Sequence, residues 1–144
     1  MKKMILALAI LVSTVSAFAS DVNVTEKVQK AFKTEFSNAS EVNWSQGDNY
    51  YKATFNYNGT YLFAFYNEEG ELLALSRYIS PVNLPFVLQN NLKKSYEGYW
   101  VSDLFEASKN GSTYYYITLE NADTKIVLKS TGNSWDVYSK HKKS

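Results

Sequence analysis

The chain has 144 residues with 15 Lys and Arg against 14 Asp and Glu, a near-neutral balance that argues against nucleic-acid binding, which needs a basic surface to neutralise phosphates. It has no Cys and one His. Disulfides, Cys-based zinc sites, iron–sulfur clusters, a thiolate nucleophile and a lipidated Cys anchor are therefore excluded, and a His-based triad has a single candidate.

Residues 1–19 read as a signal peptide. Lys2 and Lys3 form a basic start, Met4 to Val15 an apolar run, and Ala17-Phe18-Ala19 a small-x-small cleavage site before Ser20. The apolar run is shorter than the ~20 residues of a spanning helix, so no stable membrane insertion is expected after cleavage. The mature chain then has 125 residues and a net charge of −1, with 13 basic against 14 acidic side chains. Without cysteine it must be held by its core alone, which its length permits. A periplasmic or secreted protein is expected.

The spacing predicts a helix over 24–36, with Val24, Val28, Ala31, Phe32 and Phe36 on one face and Asn23 with Glu26 as its capping box. Val42 and Trp44 alternate as a short strand. Residues 50–57 alternate as another, with Tyr51, Ala53, Phe55 and Tyr57 on one face and Tyr50, Lys52, Thr54 and Asn56 on the other. Asn58-Gly59 is a type I′ hairpin signal, because both residues tolerate positive φ. A return strand at 61–66, a turn at Asn67-Glu68-Glu69-Gly70 and a strand at 71–79 follow. Pro81 and Pro85 bracket a connection to a second helix over about 84–95, with Leu84, Val87, Leu88 and Leu92 on one face and Gly98 beyond its end. Strands are then expected at about 99–106, 113–120, 125–129 and 134–139. The order is one helix and four strands, written twice. Residues 31–36 align with 91–96, and residues 50–55 with 114–119. The expected organisation is a signal peptide at 1–19, a first αβ4 repeat at 20–82 and a second at 83–144.

These residues bring a family into view. The helix ending in Phe36, Val42-Asn43-Trp44, Tyr51-x-Ala53-x-Phe55, Ala64-x-Tyr66-x-x-x-Gly70, Leu84-Pro85 and Tyr115-x-Ile117-x-Leu119 together resemble the PepSY-like, β-lactamase-inhibitor-like proteins exported by Bacteroidetes. The resemblance spans nearly the whole mature chain, with Ser37 where the family's usual Pro follows the first helix. It implies an α+β fold in which two tandem helix–four-strand repeats form an antiparallel sheet with both helices on one face. It also implies a binding or inhibitory role outside the cytoplasm, with no catalytic residues to transfer. The calcium regulation ascribed to some relatives transfers to no residue here.

His141 sits in the polar tail Lys140-His141-Lys142-Lys143-Ser144 and is expected to lack the sheltered pocket a catalytic base needs. Glu68, Glu69 and Glu71 surround Gly70 and are weak metal candidates; their spacing does not match an EF-hand loop, and a solvated turn is the simpler reading. No cofactor and no enzymatic activity are expected. The informative feature is the surplus of 12 Tyr, 8 Phe and 3 Trp. If Tyr51, Ala53, Phe55, Leu62, Ala64, Tyr66, Tyr115, Ile117 and Leu119 face the helices, then Tyr61, Phe63, Phe65, Tyr114 and Tyr116 face away. Aromatics concentrated on an open face mark a binding surface; the alternatives are that the face is buried by packing within the chain or in a homodimer, or that the parity is inverted. The sequence thus points to an exported, non-catalytic protein that grips a protein partner, such as an exported hydrolase, through this face. The alternative is a module responsive to a small molecule or calcium. Export with cleavage between Ala19 and Ser20 predicts an envelope-fraction protein whose N-terminus is Ser20 by mass spectrometry; an intact Met1 terminus would refute it.

Overall fold

The computed structural model describes residues 22–144, so the expected signal peptide and its cleavage site lie outside the described residues. Helix α1 covers Glu26–Glu35 and is followed by strands β1 (Ser40–Gln46), β2 (Tyr51–Tyr57), β3 (Thr60–Tyr66) and β4 (Leu72–Tyr78). A 3-10 turn at Pro81–Asn83 leads into helix α2 (Phe86–Ser95), then β5 (Trp100–Lys109), β6 (Ser112–Glu120), β7 (Thr124–Ser130) and β8 (Asp136–Lys142). The described residues thus hold two α-helices and eight strands, in an antiparallel sheet ordered as in the sequence, an α+β fold. The chain divides into two compact units between Ser76 and Arg77, within β4.

In the first unit, α1 starts later than the capping-box reading placed it. Thr25, not Asn23, is the N-cap, and its hydroxyl accepts from the Val28 N–H at 3.4 Å. Val24 is already buried where the chain enters, which holds Asn23 outside the first turn. The expected helix face is otherwise present: Val28, Phe32 and Phe36 are buried and pack on Tyr51, Ala53, Phe55, Ala64 and Tyr66 of the sheet. Asn58 and Gly59 close the β2–β3 hairpin with φ of 52° and 87°, the paired positive values of a type I′ turn. Register runs from Tyr51 opposite Tyr66 to Tyr57 opposite Thr60, so the inward set of β2 meets that of β3 without a slip. Gly70 has φ of 82°, and a Cβ there would lie 2.7 Å from the Lys27 carbonyl of α1. Glycine therefore lets the β3–β4 turn tuck beneath the helix.

In the second unit, Leu84, Leu88, Leu104, Ile117, Leu119, Ile126 and Leu128 form the core. Val87 was expected on the buried face of the second helix but is 44% exposed. The helix begins only at Phe86, after Pro85, so Leu84 belongs to the preceding turn and Leu88 with Leu92 defines the inner stripe. The Trp135 indole donates to the Leu88 carbonyl at 3.1 Å, tying the stretch before β8 to α2. His141 also departs from expectation. It lies within β8 opposite Lys125, because the strand continues beyond 139 and the Lys143 N–H bonds the Asp123 carbonyl.

The two helices end alike. Phe36 and Tyr96, sixty positions apart, each donate their N–H to the residue four earlier, Phe32 and Leu92. Phe55 is fully buried, with Phe32 edge-on at 4.9 Å and Phe36 tilted at 4.8 Å. Phe55→Ala should cost about 3–5 kcal/mol through lost burial and the cavity left behind. Denaturant melts would check this, and a loss under ~1 kcal/mol would contradict the packing.

Candidate functional site

Alternation places Lys52, Thr54 and Asn56 of β2 and Tyr61, Phe63 and Phe65 of β3 on the sheet face opposite α1, paired Lys52–Phe65, Thr54–Phe63 and Asn56–Tyr61. These side chains differ sharply in accessibility. Tyr61 is 53% exposed, and its hydroxyl donates to Glu41 Oε2 at 2.6 Å. That bond holds the proton on the phenol and raises its pKa. Phe63 is half-buried. Phe65 was expected to be open but is buried, in a cluster with Tyr50 and Ala74 flanked by Phe63 and Leu73. The Tyr50 ring lies 5.7 Å away, and the Lys52 ammonium stands 4.8 Å above Phe63 and 5.6 Å above Phe65. Burial pushes the Lys52 pKa down, while the ring faces stabilise its cation.

The second unit builds a row on the corresponding face. The Tyr78 ring meets Phe105 edge-on at 6.5 Å, Phe105 stacks on Tyr116 at 5.2 Å, and Tyr116 meets Tyr138 edge-on at 5.9 Å. The ends are accessible, with Tyr78 63% and Tyr138 38% exposed, whereas Tyr116 is 1% exposed. The expectation that Tyr116 is open is therefore corrected: Phe105 on the adjoining strand β5 and Tyr138 on β8, beyond β7, enclose it. Tyr114 is half-buried beneath the Lys129 ammonium, 5.5 Å from its ring. Sequence reasoning named the β3 and β6 aromatics and missed Tyr78, Phe105 and Tyr138. Cross-strand register would have found them, and register is not visible in any one strand.

Glu68, Glu69 and Glu71 occupy a turn organised by Asn67. Its Oδ1 accepts from the Glu69 and Glu71 N–H groups, and its Nδ2 donates to Glu71 Oε2 at 2.7 Å. Among the described residues no three His, Asp or Glu converge as a metal site.

A second feature had no counterpart in the sequence reading. At one edge of the first unit, α1 and β1 diverge around a cleft of about 560 Å³ lined by Phe32, Phe36, Ala39, Val42 and Trp44, with Gln29, Lys33 and Ser37 at its polar margin. The size and apolar lining are those of a binding pocket. A bulge creates its mouth. Ser40 pairs with Asn56 and Asn43 with Thr54, so Glu41 and Val42 together oppose Phe55, and Glu41 takes φ of 53°. The bulge leaves Val42 37% exposed. The helix stripe and the Val42–Trp44 alternation are in the sequence, but the gap between them is not.

No family model matches the chain, and no curated protein matches it. Solved structures do. A BLIP-like protein from Bacteroides fragilis superimposes with a TM-score of 0.70 at 23% identity, over 86% of this chain and 88% of that one. A DUF2874 family protein from Bacteroides ovatus gives 0.74 at 22% identity, over 85% and 89%. A protein from Bacteroides eggerthii named provisionally as periplasmic gives 0.73 at 18% identity, over 84% and 90%. These are likenesses of fold, to BLIP-like and DUF2874 structures and to none named PepSY-like among those compared. No described helix is long and apolar enough to cross a membrane.

The hydroxyls of Tyr66 and Tyr116 are buried without a hydrogen-bond partner, and burial raises both pKa values well above the ordinary phenol value of 10.0. An unmet buried hydroxyl costs about 1–3 kcal/mol, so Tyr116→Phe should leave stability unchanged or raise it by about 1 kcal/mol at neutral pH. Above pH 10 the unfolded phenol ionises and the folded one does not. Native stability is therefore complete below that value and falls as pH rises beyond it. The variant should flatten this alkaline loss in melts followed by circular dichroism.

Proposed function

We propose that this chain is an exported, non-catalytic binding protein that takes a protein partner on the aromatic face of its sheet. The observation that carries the reading is the row Tyr78–Phe105–Tyr116–Tyr138. Its middle rings are packed and its end rings are exposed. Fixed central rings hold the outer ones in place, so a partner meets large, rigid apolar area at small entropic cost. Tyr61 and Phe63 supply similar area on the first unit, with Phe65 beneath them as support rather than contact.

The fold likeness to a BLIP-like protein supports a finer proposal, that the partner is an exported hydrolase whose activity is inhibited or modulated. The mechanism is steric: aromatic side chains fill a partner pocket and exclude water, while nearby polar groups fix register. Export rests on the Lys2-Lys3 start, the apolar run and Ala17-x-Ala19, and the provisionally periplasmic neighbour supports it.

The test is capture from an envelope extract, followed by binding measurements with the captured protein. Tyr78→Ala should weaken binding by about 2 kcal/mol or more while lowering folding stability by no more than about 1.5 kcal/mol, the order of its edge-on contact with Phe105. Phe63→Ala should weaken it in the same way at a larger stability cost, because Phe63 is half-buried. Undiminished capture by both variants would remove the aromatic face as the binding surface.

A further inference from the structure

Strand β1 has a neighbour on one side only: it opens the sheet order and pairs with β2 alone among the described residues. Its free backbone groups can be located. The Gly47 N–H bonds the Tyr50 carbonyl at 2.9 Å, which makes Gly47–Tyr50 a hydrogen-bonded pair. In an antiparallel ladder such pairs alternate with non-bonded ones. Ser45 and Asn43 therefore bond toward β2, whereas Trp44 and Gln46 direct their N–H and C=O groups outward. Gly47 helps to fix this register, since a Cβ there would fall within the Tyr50 ring.

The same stretch of strand forms one wall of the cleft. Trp44 sends its side chain inward against Phe32, edge-on at 5.2 Å, and its backbone toward the open edge. A strand added beside Trp44 would place its own facing side chain on the same side of the sheet, between β1 and α1, where Phe32, Phe36, Val42 and Trp44 line the space. Lys33 stands at the margin. It belongs to neither ion pair among the described residues, Arg77–Glu106 and Lys143–Glu120. The cleft thus combines an open ladder, an apolar slot in line with it and a cation beside the slot.

We propose that the β1 edge and the α1–β1 cleft form a peptide-binding site. It takes an extended segment that adds as a strand beside Trp44 and Gln46, seats one aromatic or large aliphatic side chain in the cleft, and carries an acidic side chain beside it to meet Lys33. Main-chain bonds supply the affinity and the slot supplies the selectivity, as in other strand-addition sites. The bulge at Glu41 and Val42 bends the strand start away and confines pairing to the segment after it, which limits indiscriminate edge association. This site is separate from the aromatic row of the second unit and does not depend on it.

The test uses a positional-scanning library of N-acetylated, C-amidated heptapeptides on beads, probed with the mature protein. Enrichment is expected for an aromatic or large aliphatic residue at one position with Asp or Glu close to it. The best soluble peptide should shift backbone amide resonances of residues 29–36 and 40–46. Val42→Glu at the cleft mouth should weaken that peptide at least tenfold, and Lys33→Glu should turn the acidic preference into a basic one. Methylating the peptide nitrogens that would pair with β1 should abolish binding with no change to the protein, which covers the case of a variant that folds poorly. Tyr78→Ala should leave peptide binding unaltered. The proposal is overturned if no peptide class is enriched, if the shifts map elsewhere, if N-methylated peptides bind equally well, if Val42→Glu folds and binds undiminished, or if Lys33→Glu leaves the charge preference unchanged.

Discussion

Phe55 is the contact on which the first unit depends. It is fully buried, Phe32 of α1 and the C-cap residue Phe36 converge on it, and the Tyr57 ring lies 6.4 Å away along the same face. Phe32 carries the contact on to Trp44, and Phe36 to Tyr57 at 5.5 Å. Ring pairs at these separations add to area burial through their edge-to-face geometry. The cluster thereby fixes the height of α1 above the sheet and its rotation about its own axis. Both surfaces of the first unit inherit that setting. The cleft is the space left beyond Phe32 and Phe36 where β1 bends away, and the outer face is what strand alternation leaves once Phe55 points inward.

The second unit meets the same geometric demand with different chemistry. Leu119 and Ile117 stand where the sixty-four-residue alignment puts Phe55 and Ala53, and Leu92 and Tyr96 stand where the helix alignment puts Phe32 and Phe36. All of Ala53, Phe55, Ile117 and Leu119 are buried. Aromatic packing in one unit and aliphatic packing in the other fill comparable layers, which explains how a common element order coexists with low identity between the halves. Tyr96, Tyr99, Tyr115 and Trp135 pack around the margin of that aliphatic core, and a further set of rings lies on the opposite face, in the row from Tyr78 to Tyr138.

Several polar groups are held at a cost in stability. Two tyrosine hydroxyls are buried unbonded, the Lys52 ammonium is partly withdrawn from water over two phenyl rings, and burial raises the Asp103 pKa against the pull of the Leu104 N–H and Lys125. Three of these four, Lys52, Tyr116 and Asp103, lie outside the helix-facing cores, and Tyr66 lies within one.

The element order, the strand parity and the inward set were legible in the sequence. Period-two alternation and Asn-Gly turns are local signals, and Tyr51, Ala53, Phe55, Ile117 and Leu119 follow from them directly. Accessibility was not legible. Phe65 and Tyr116 share the outward parity of Tyr61 yet are buried, because Tyr50 packs on Phe65 while Phe105 and Tyr138 pack on Tyr116, and which rings meet depends on how the strands pair. The α1–β1 cleft was hidden for the same reason. Its volume depends on a bulge at Glu41 and on the distance between a helix and an edge strand, neither of which any local pattern encodes. Residue spacing decides which way a side chain points; what covers it is decided only when distant strands and helices pack.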